Sequence, residues 1–221
     1  MKKVIAGNWK MNHGPNQARE FFGVLEDEVG GLRPRMLVFP PALSVAAAFA
    51  ARPDFVELGV QNVYHEPSGA FTGELSVEMA RESGATHVLV GHSERRHVFG
   101  ETDADVGRKT RAVLEAGLTP VVCVGETIEQ RRAGQVEEVI TRQIDAVLEA
   151  FADFGDDEVM VAYEPVWAIG TGETATPADA TQAHTTLRAR LTEALGAERA
   201  GAIPILYGGS VKPGNAAELL G

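Results

Sequence analysis

The feature that most narrows what this chain can fold into is a repeated pairing of a short, continuous apolar run with a longer stretch of helical period. The apolar runs fall at 4–7, 36–39, 56–60, 87–91, 121–124, 159–163 and 203–207. They are unbroken rather than alternating, as expected for strands covered on both faces of a parallel sheet. Amphipathic helices are predicted at 15–29, 76–81, 104–116, 128–151 and 177–195. Two of these carry start signals: Thr127 before Ile128, and the pair Thr176-Pro177, since proline suits a first helical turn. The alternation points to an α/β fold with a parallel sheet.

A closed barrel and an open, doubly wound sheet both satisfy that pattern. Polar residues or glycines follow nearly every apolar run: Asn8 and Lys10, Gln61 and Asn62, His92, Gly125 and Glu126, Glu164, then Gly208, Gly209 and Ser210. Polar groups from many strand ends converge only if the sheet closes on itself, whereas an open sheet gathers its site near one switch point. The barrel is therefore expected. A barrel of this type has eight βα units, roughly 250 residues; seven are legible in these 221 residues, so either the eighth is missing from this sequence or the barrel is open on one side.

The chain reads as one domain, 1–221, with no linker or low-complexity tract. Apolar residues make up 44% and charged residues 23%, enough for a sizeable core. A net charge of −11 argues against nucleic-acid or anionic-membrane partners and requires any anion site to be locally positive. With Cys123 alone, no internal disulfide is possible and a reducing compartment fits. The N-terminus is too soon broken by Asn8 and Lys10 to be a signal peptide, and the apolar run at 43–51 is far short of a membrane span. A cytoplasmic protein is expected.

Glu164 directly follows a strand, where lost hydration would make its carboxylate a better base; a surface ion pair accounts for it equally well. His92 ends a strand and precedes Ser93, a good N-cap. A helix start there would disfavour imidazolium, while a core histidine bonded to backbone is the plainer alternative. Lys10 lies two residues past Asn8, on the same side by strand period, and suits an anion, although solvated lysines are common. Val166, Trp167 and Ile169 are apolar yet lie in a loop, which suggests a lid over a site, or a loop that packs down.

Gly170, Gly172 and Ala175 match a dinucleotide fingerprint, but a proline-led loop separates them from the strand, so the match is rejected. Gly208, Gly209 and Ser210 form a phosphate nest or a plain turn rather than a P-loop. Cys123 reads as core, the histidines lack ligand spacing, and neither metal nor cofactor is expected.

Together these segments closely resemble the triosephosphate isomerase family: AGNWKMN at 6–12, GAFTGE at 69–74, VGHSERR at 90–96, VCVGET at 122–127, AYEPVWAIGTG at 162–172 and YGGSVKP at 207–213. The resemblance runs from the first strand to Gly221. It implies a TIM barrel that interconverts dihydroxyacetone phosphate and glyceraldehyde 3-phosphate, a step of glycolysis and gluconeogenesis, without a cofactor. In that likeness Glu164 is the base and His92 the neutral electrophile. Lys10 offsets substrate charge, Asn8 is its hydrogen-bonding neighbour, and Glu94 is a carboxylate near that lysine that supports the site. Residues 165–176 are the mobile lid, with Gly170 and Ser210 as phosphate donors. Thr72 marks a loop that reaches a partner's site, which implies a homodimer.

Two departures stand out. Glu173 takes the place of an expected lysine in the lid, and the absent eighth unit would supply further phosphate donors. A catalytically silent sugar-phosphate binder or scaffold is the alternative that this second departure raises. An aldolase is disfavoured, since no strand-end lysine besides Lys10 is positioned to form an imine.

Overall fold

The computed structural model describes residues 3–155, 157–168 and 175–217. Its contacts gather into two compact units: Met1–Val90 with Arg111–Pro120, and Gly91–Thr110 with Val121–Gly221.

In the first unit β1 (Val4–Asn8), β2 (Arg35–Phe39), β3 (Val56–Val60) and β4 (His87–Val90) pair in parallel, with Asn8 beside Phe39, Val38 beside Leu58 and Gly59 beside His87. The first residue of β5 (Thr119–Val124) joins them, Thr119 N–H donating to the Thr86 carbonyl at 3.0 Å. Helix α1 (Pro15–Glu28) starts with proline in its first turn, where no partner for its nitrogen is needed. Helix α2 (Val45–Ala51) occupies what sequence periodicity presented only as an apolar run. Its alanines are the strongest helix formers, so a short segment suffices once Val45, Ala47 and Ala48 are buried. Helix α3 (Val77–Glu82) begins where Ser76 Oγ accepts from the Met79 amide. Ala18 and Phe22, one turn apart on α1, pack with Val38, Ala48, Val56 and Leu58. Burial of Phe22 alone contributes about 1.5–3 kcal/mol.

In the second unit the rest of β5, β6 (Met160–Tyr163) and β7 (Ile205–Tyr207) pair in parallel, with Val124 beside Tyr163 and Tyr163 beside Tyr207. That register sets Gly125, Glu164 and Gly208 leaving the strands at one level. Helix α4 (Ser93–His97) follows His92, and α5 (Asp103–Glu115) is divided between the units. The single helix expected at 128–151 is two, α6 (Ile128–Arg132) and α7 (Val136–Asp153). Gly134 sits at φ 73° between them, and its amide donates back to Arg131, ending the first helix in a left-handed turn. Helix α7 buries Val139, Ile140, Ile144, Val147 and Phe151 and packs on α8 (Pro177–Leu195), which in turn packs on α9 (Ala197–Ala202). Thr176 caps α8 as its sequence suggests, accepting from the Asp179 amide. No described helix is long and apolar enough to cross a membrane.

Candidate active site

Glu164 follows β6, and its amide donates to the Val124 carbonyl at 2.7 Å, so the strand pairing carries on to the carboxylate's own backbone. The side chain is 8% exposed. One oxygen, Oε2, accepts the Ser93 amide at 2.9 Å, and Oε1 stands 3.1 Å from His92 Nε2. A buried carboxylate thus meets a backbone donor at the start of α4 and an imidazole nitrogen at hydrogen-bond distance.

His92, not Ser93, is the N-cap of α4: its Nδ1 accepts the Glu94 amide at 3.2 Å. An amide aimed at Nδ1 requires a lone pair there, which assigns the proton to Nε2, the nitrogen facing Glu164. Glu94, with a half-exposed side chain, also sets Oε2 3.7 Å from that Nδ1.

Two glycines make room for Glu164. A Cβ on Gly125 would lie 1.7 Å from the Glu164 carbonyl oxygen, and one on Gly208 would lie 2.9 Å from Glu164 Cγ. Gly125 is held by Gln143 from α7, whose Oε1 accepts its amide at 2.7 Å. Sequence reasoning missed Gln143, and nothing in a helical glutamine's surroundings along the chain would have marked it.

The described start of the loop after β6 packs down at 166–168. Val166 and Trp167 are half-buried and Ala168 is fully buried in a short 3-10 turn. Trp167 Nε1 donates to Glu126 Oε1 at 2.8 Å, and the Arg131 guanidinium lies 4.7 Å from the indole centroid. Glu126, fully buried, also accepts from the Tyr163 hydroxyl at 3.1 Å and from Arg131. Burial and the Glu126 charge push the Tyr163 phenol far above its usual range, so it stays a donor. Ser210 Oγ donates to the Ala168 carbonyl at 2.8 Å. Gly170, Gly172, Ile169 and Glu173 lie outside the described residues. Cys123 is buried in β5; burial first, then the nearby Glu164 carboxylate, drives its thiol well above the ordinary cysteine range and leaves it inert.

In the first unit, Asn8 Oδ1 accepts the Lys10 amide at 2.9 Å, and the Lys10 carbonyl accepts from Gln61 Nε2 at 2.8 Å. Lys10 is at φ 52°, in the left-handed region, so strand period stops at Asn8 and does not govern where the lysine points. A non-glycine residue held there is strained and needs such clamps. Thr72 is exposed at the tip of a turn closed by the Glu74 amide on the Phe71 carbonyl, in a loop packed by Tyr64 on Phe71 with ring centroids 4.4 Å apart.

The sequence model of the triosephosphate isomerase family matches residues 3–221. The chain belongs to the triosephosphate isomerase family. It is 50% identical to the triosephosphate isomerase of Alkalilimnicola ehrlichii, an alignment covering 100% of this chain and 88% of the relative. Identity to the proteins of the same name from Chloroflexus aurantiacus and Roseiflexus sp. is 49% and 48%, each over 98% of this chain and 88% and 86% of the relative. Membership in the triosephosphate isomerase family decides between the two parallel architectures in favour of the βα barrel.

Proposed function

We propose that this chain interconverts dihydroxyacetone phosphate and glyceraldehyde 3-phosphate by proton transfer through an enediolate. The observation that carries the reading is the buried pair of Glu164 and His92, with Nε2 and Oε1 3.1 Å apart. Glu164 removes a proton from the carbon beside the carbonyl, and the electron pair of that C–H bond becomes the C=C bond of the enediolate. The carbonyl oxygen takes up the negative charge, which the Nε2–H of His92 stabilises by donating to it. The imidazole relays a proton between the two oxygens, and Glu164 returns its proton to the neighbouring carbon. To reach carbon, the carboxylate must give up both its bond from the Ser93 amide and its contact with His92 Nε2, whose N–H then turns to the substrate oxygen.

Lys10 supplies positive charge against the phosphate and enediolate, Asn8 holds the Lys10 backbone, and Glu94 supports the site. Gly170 and Ser210 donate to the phosphate, and residues 165–176 close over it. Sealing matters because an enediolate phosphate open to water can expel its phosphate. The protein acts in the cytoplasm. It works as a homodimer whose Thr72 loop reaches its partner, a reading supported in the first unit by exposed Met11 (95%), Leu43 (89%) and Met79 (58%). Light scattering should return twice the chain mass; the monomer mass at assay concentration would refute the dimer.

NADH oxidation through a coupling dehydrogenase tests the activity. Turnover of glyceraldehyde 3-phosphate by the 221-residue chain is expected. Absent turnover with retained calorimetric binding of dihydroxyacetone phosphate would replace the enzyme with the silent binder. The isomerase is preferred because the acid–base pair is intact.

A further inference from the structure

The proposed mechanism uses His92 but leaves unexplained what holds the turn that carries it. His92 is preceded by Gly91, at φ 72°, which bonds to charged side chains on both sides of its residue. Its amide donates to Glu101 Oε1 at 3.0 Å, and its carbonyl accepts from Arg96 Nε at 2.7 Å. The second bond falls on the Gly91–His92 peptide itself, so it fixes the plane from which the imidazole hangs.

Each gripping group is anchored in turn. Glu101 Oε2 receives Lys109 Nζ at 2.6 Å and Arg95 Nε at 3.3 Å. Arg96 spends its other nitrogens on Asp103 at 2.5 Å and on the Cys123 carbonyl of β5 at 3.3 Å, and Arg142 from α7 backs Asp103 at 3.0 Å. The Glu101, Lys109 and Arg96 side chains are only 3%, 5% and 8% exposed. Ion pairs this deep are poor stabilisers, because desolvation offsets their attraction, and apolar residues would serve stability as well. What they provide is a fixed geometry, and it converges on one peptide.

We propose that Arg96 and Glu101 are positioning residues: by gripping the carbonyl and the amide of Gly91 they set the distance between the His92 imidazole and the Glu164 carboxylate. This inference rests on the acid–base roles given above to His92 and Glu164. The glycine belongs to the same device, since a Cβ at 91 would meet Arg96 Nη2 at 2.8 Å and Val106 Cγ2 at 2.9 Å, displacing the grip.

The test is Arg96→Lys, which keeps a charge for Asp103 but cannot also reach the Gly91 and Cys123 carbonyls. Folded Arg96→Lys should lose about tenfold to a hundredfold in kcat, the cost of misplacing a catalytic group by a fraction of an ångström to one ångström, with KM within about twofold. The decisive readout is the same substitution in a His92→Gln background, where it should change kcat by less than about twofold. Equal losses in both backgrounds, or wild-type kcat in folded Arg96→Lys, would overturn the inference. If Arg96→Lys does not fold, Glu101→Gln is read the same way: it keeps an oxygen for the Gly91 amide but no charge for Lys109 and Arg95. Wild-type turnover in His92→Gln alone would instead bring down the assignment of His92, and this inference with it, and so is distinguishable from failure of the grip.

Discussion

Replacing Glu164 with aspartate should lower kcat by at least about a hundredfold while leaving the protein folded. The substitution keeps the negative charge and the strand-end position but withdraws the carboxylate by one methylene. Catalytic groups displaced by about 1 Å lose on the order of a hundredfold, because proton transfer needs near-contact geometry. Glu164→Gln removes the base altogether and should cost on the order of 10²–10⁴ in kcat, the usual worth of a positioned general base. Neither change disturbs the β5–β6 pairing, since the backbone bond from Glu164 to Val124 remains. Unfolding midpoints measured alongside the rates separate lost chemistry from lost structure. Near-wild-type turnover in Glu164→Asp would remove Glu164 from the mechanism.

The largest stability loss is expected from Gly125→Ala. The new methyl would sit 1.7 Å from a backbone oxygen, and backbone cannot swing aside as a flexible side chain can. The ends of β5 and β6 must separate, straining the bonds from Glu164 to Val124 at 2.7 Å, from Val166 to Glu126 at 3.1 Å, and between Gly125 and Gln143. Each buried bond left unmade costs about 1–3 kcal/mol, so a total of about 3–5 kcal/mol is expected by denaturant titration. Activity should fall further than stability alone accounts for, because Glu164 moves with its backbone. Gly23→Ala is the control: Gly23 lies within α1, and a methyl there meets nothing within 4 Å. That change should stabilise by about 0.5–1 kcal/mol, as alanine is the better helix former. Equal effects at the two positions would contradict the steric account.

These two positions also mark what could and could not be read along the chain. Glu164 and His92 were visible because parallel strands end at one level, so a polar residue closing an apolar run is a candidate wherever it occurs. The strands were legible for the same reason: unbroken runs such as 121–124 have no other comfortable home. Gly125 was visible as a glycine, but the need for it comes from a carbonyl on a strand some forty residues away. The left-handed Lys10 was hidden, since lysine carries no local signal for that backbone state; the clamps from Asn8 and Gln61 impose it. The packing of Trp167 was left open between a lid and a loop that packs down, because its partner, Glu126, reaches it only after β5 and β6 pair. The break between α6 and α7 was written in Gly134, yet the apolar period on either side of it suggested one helix. Arg96 and Glu101 carried no signal along the chain, because burial is a property of the fold and not of the residue type.

The central claim is that Glu164 and His92 work on one substrate as one acid–base unit, and a double-mutant cycle in kcat tests it most directly. Glu164→Gln, His92→Gln and the double variant are compared with wild type under saturating glyceraldehyde 3-phosphate. Groups that act together are lost together, so the double variant should fall within about tenfold of the slower single variant. Losses that multiply in full would show two groups contributing independently and would contradict the account.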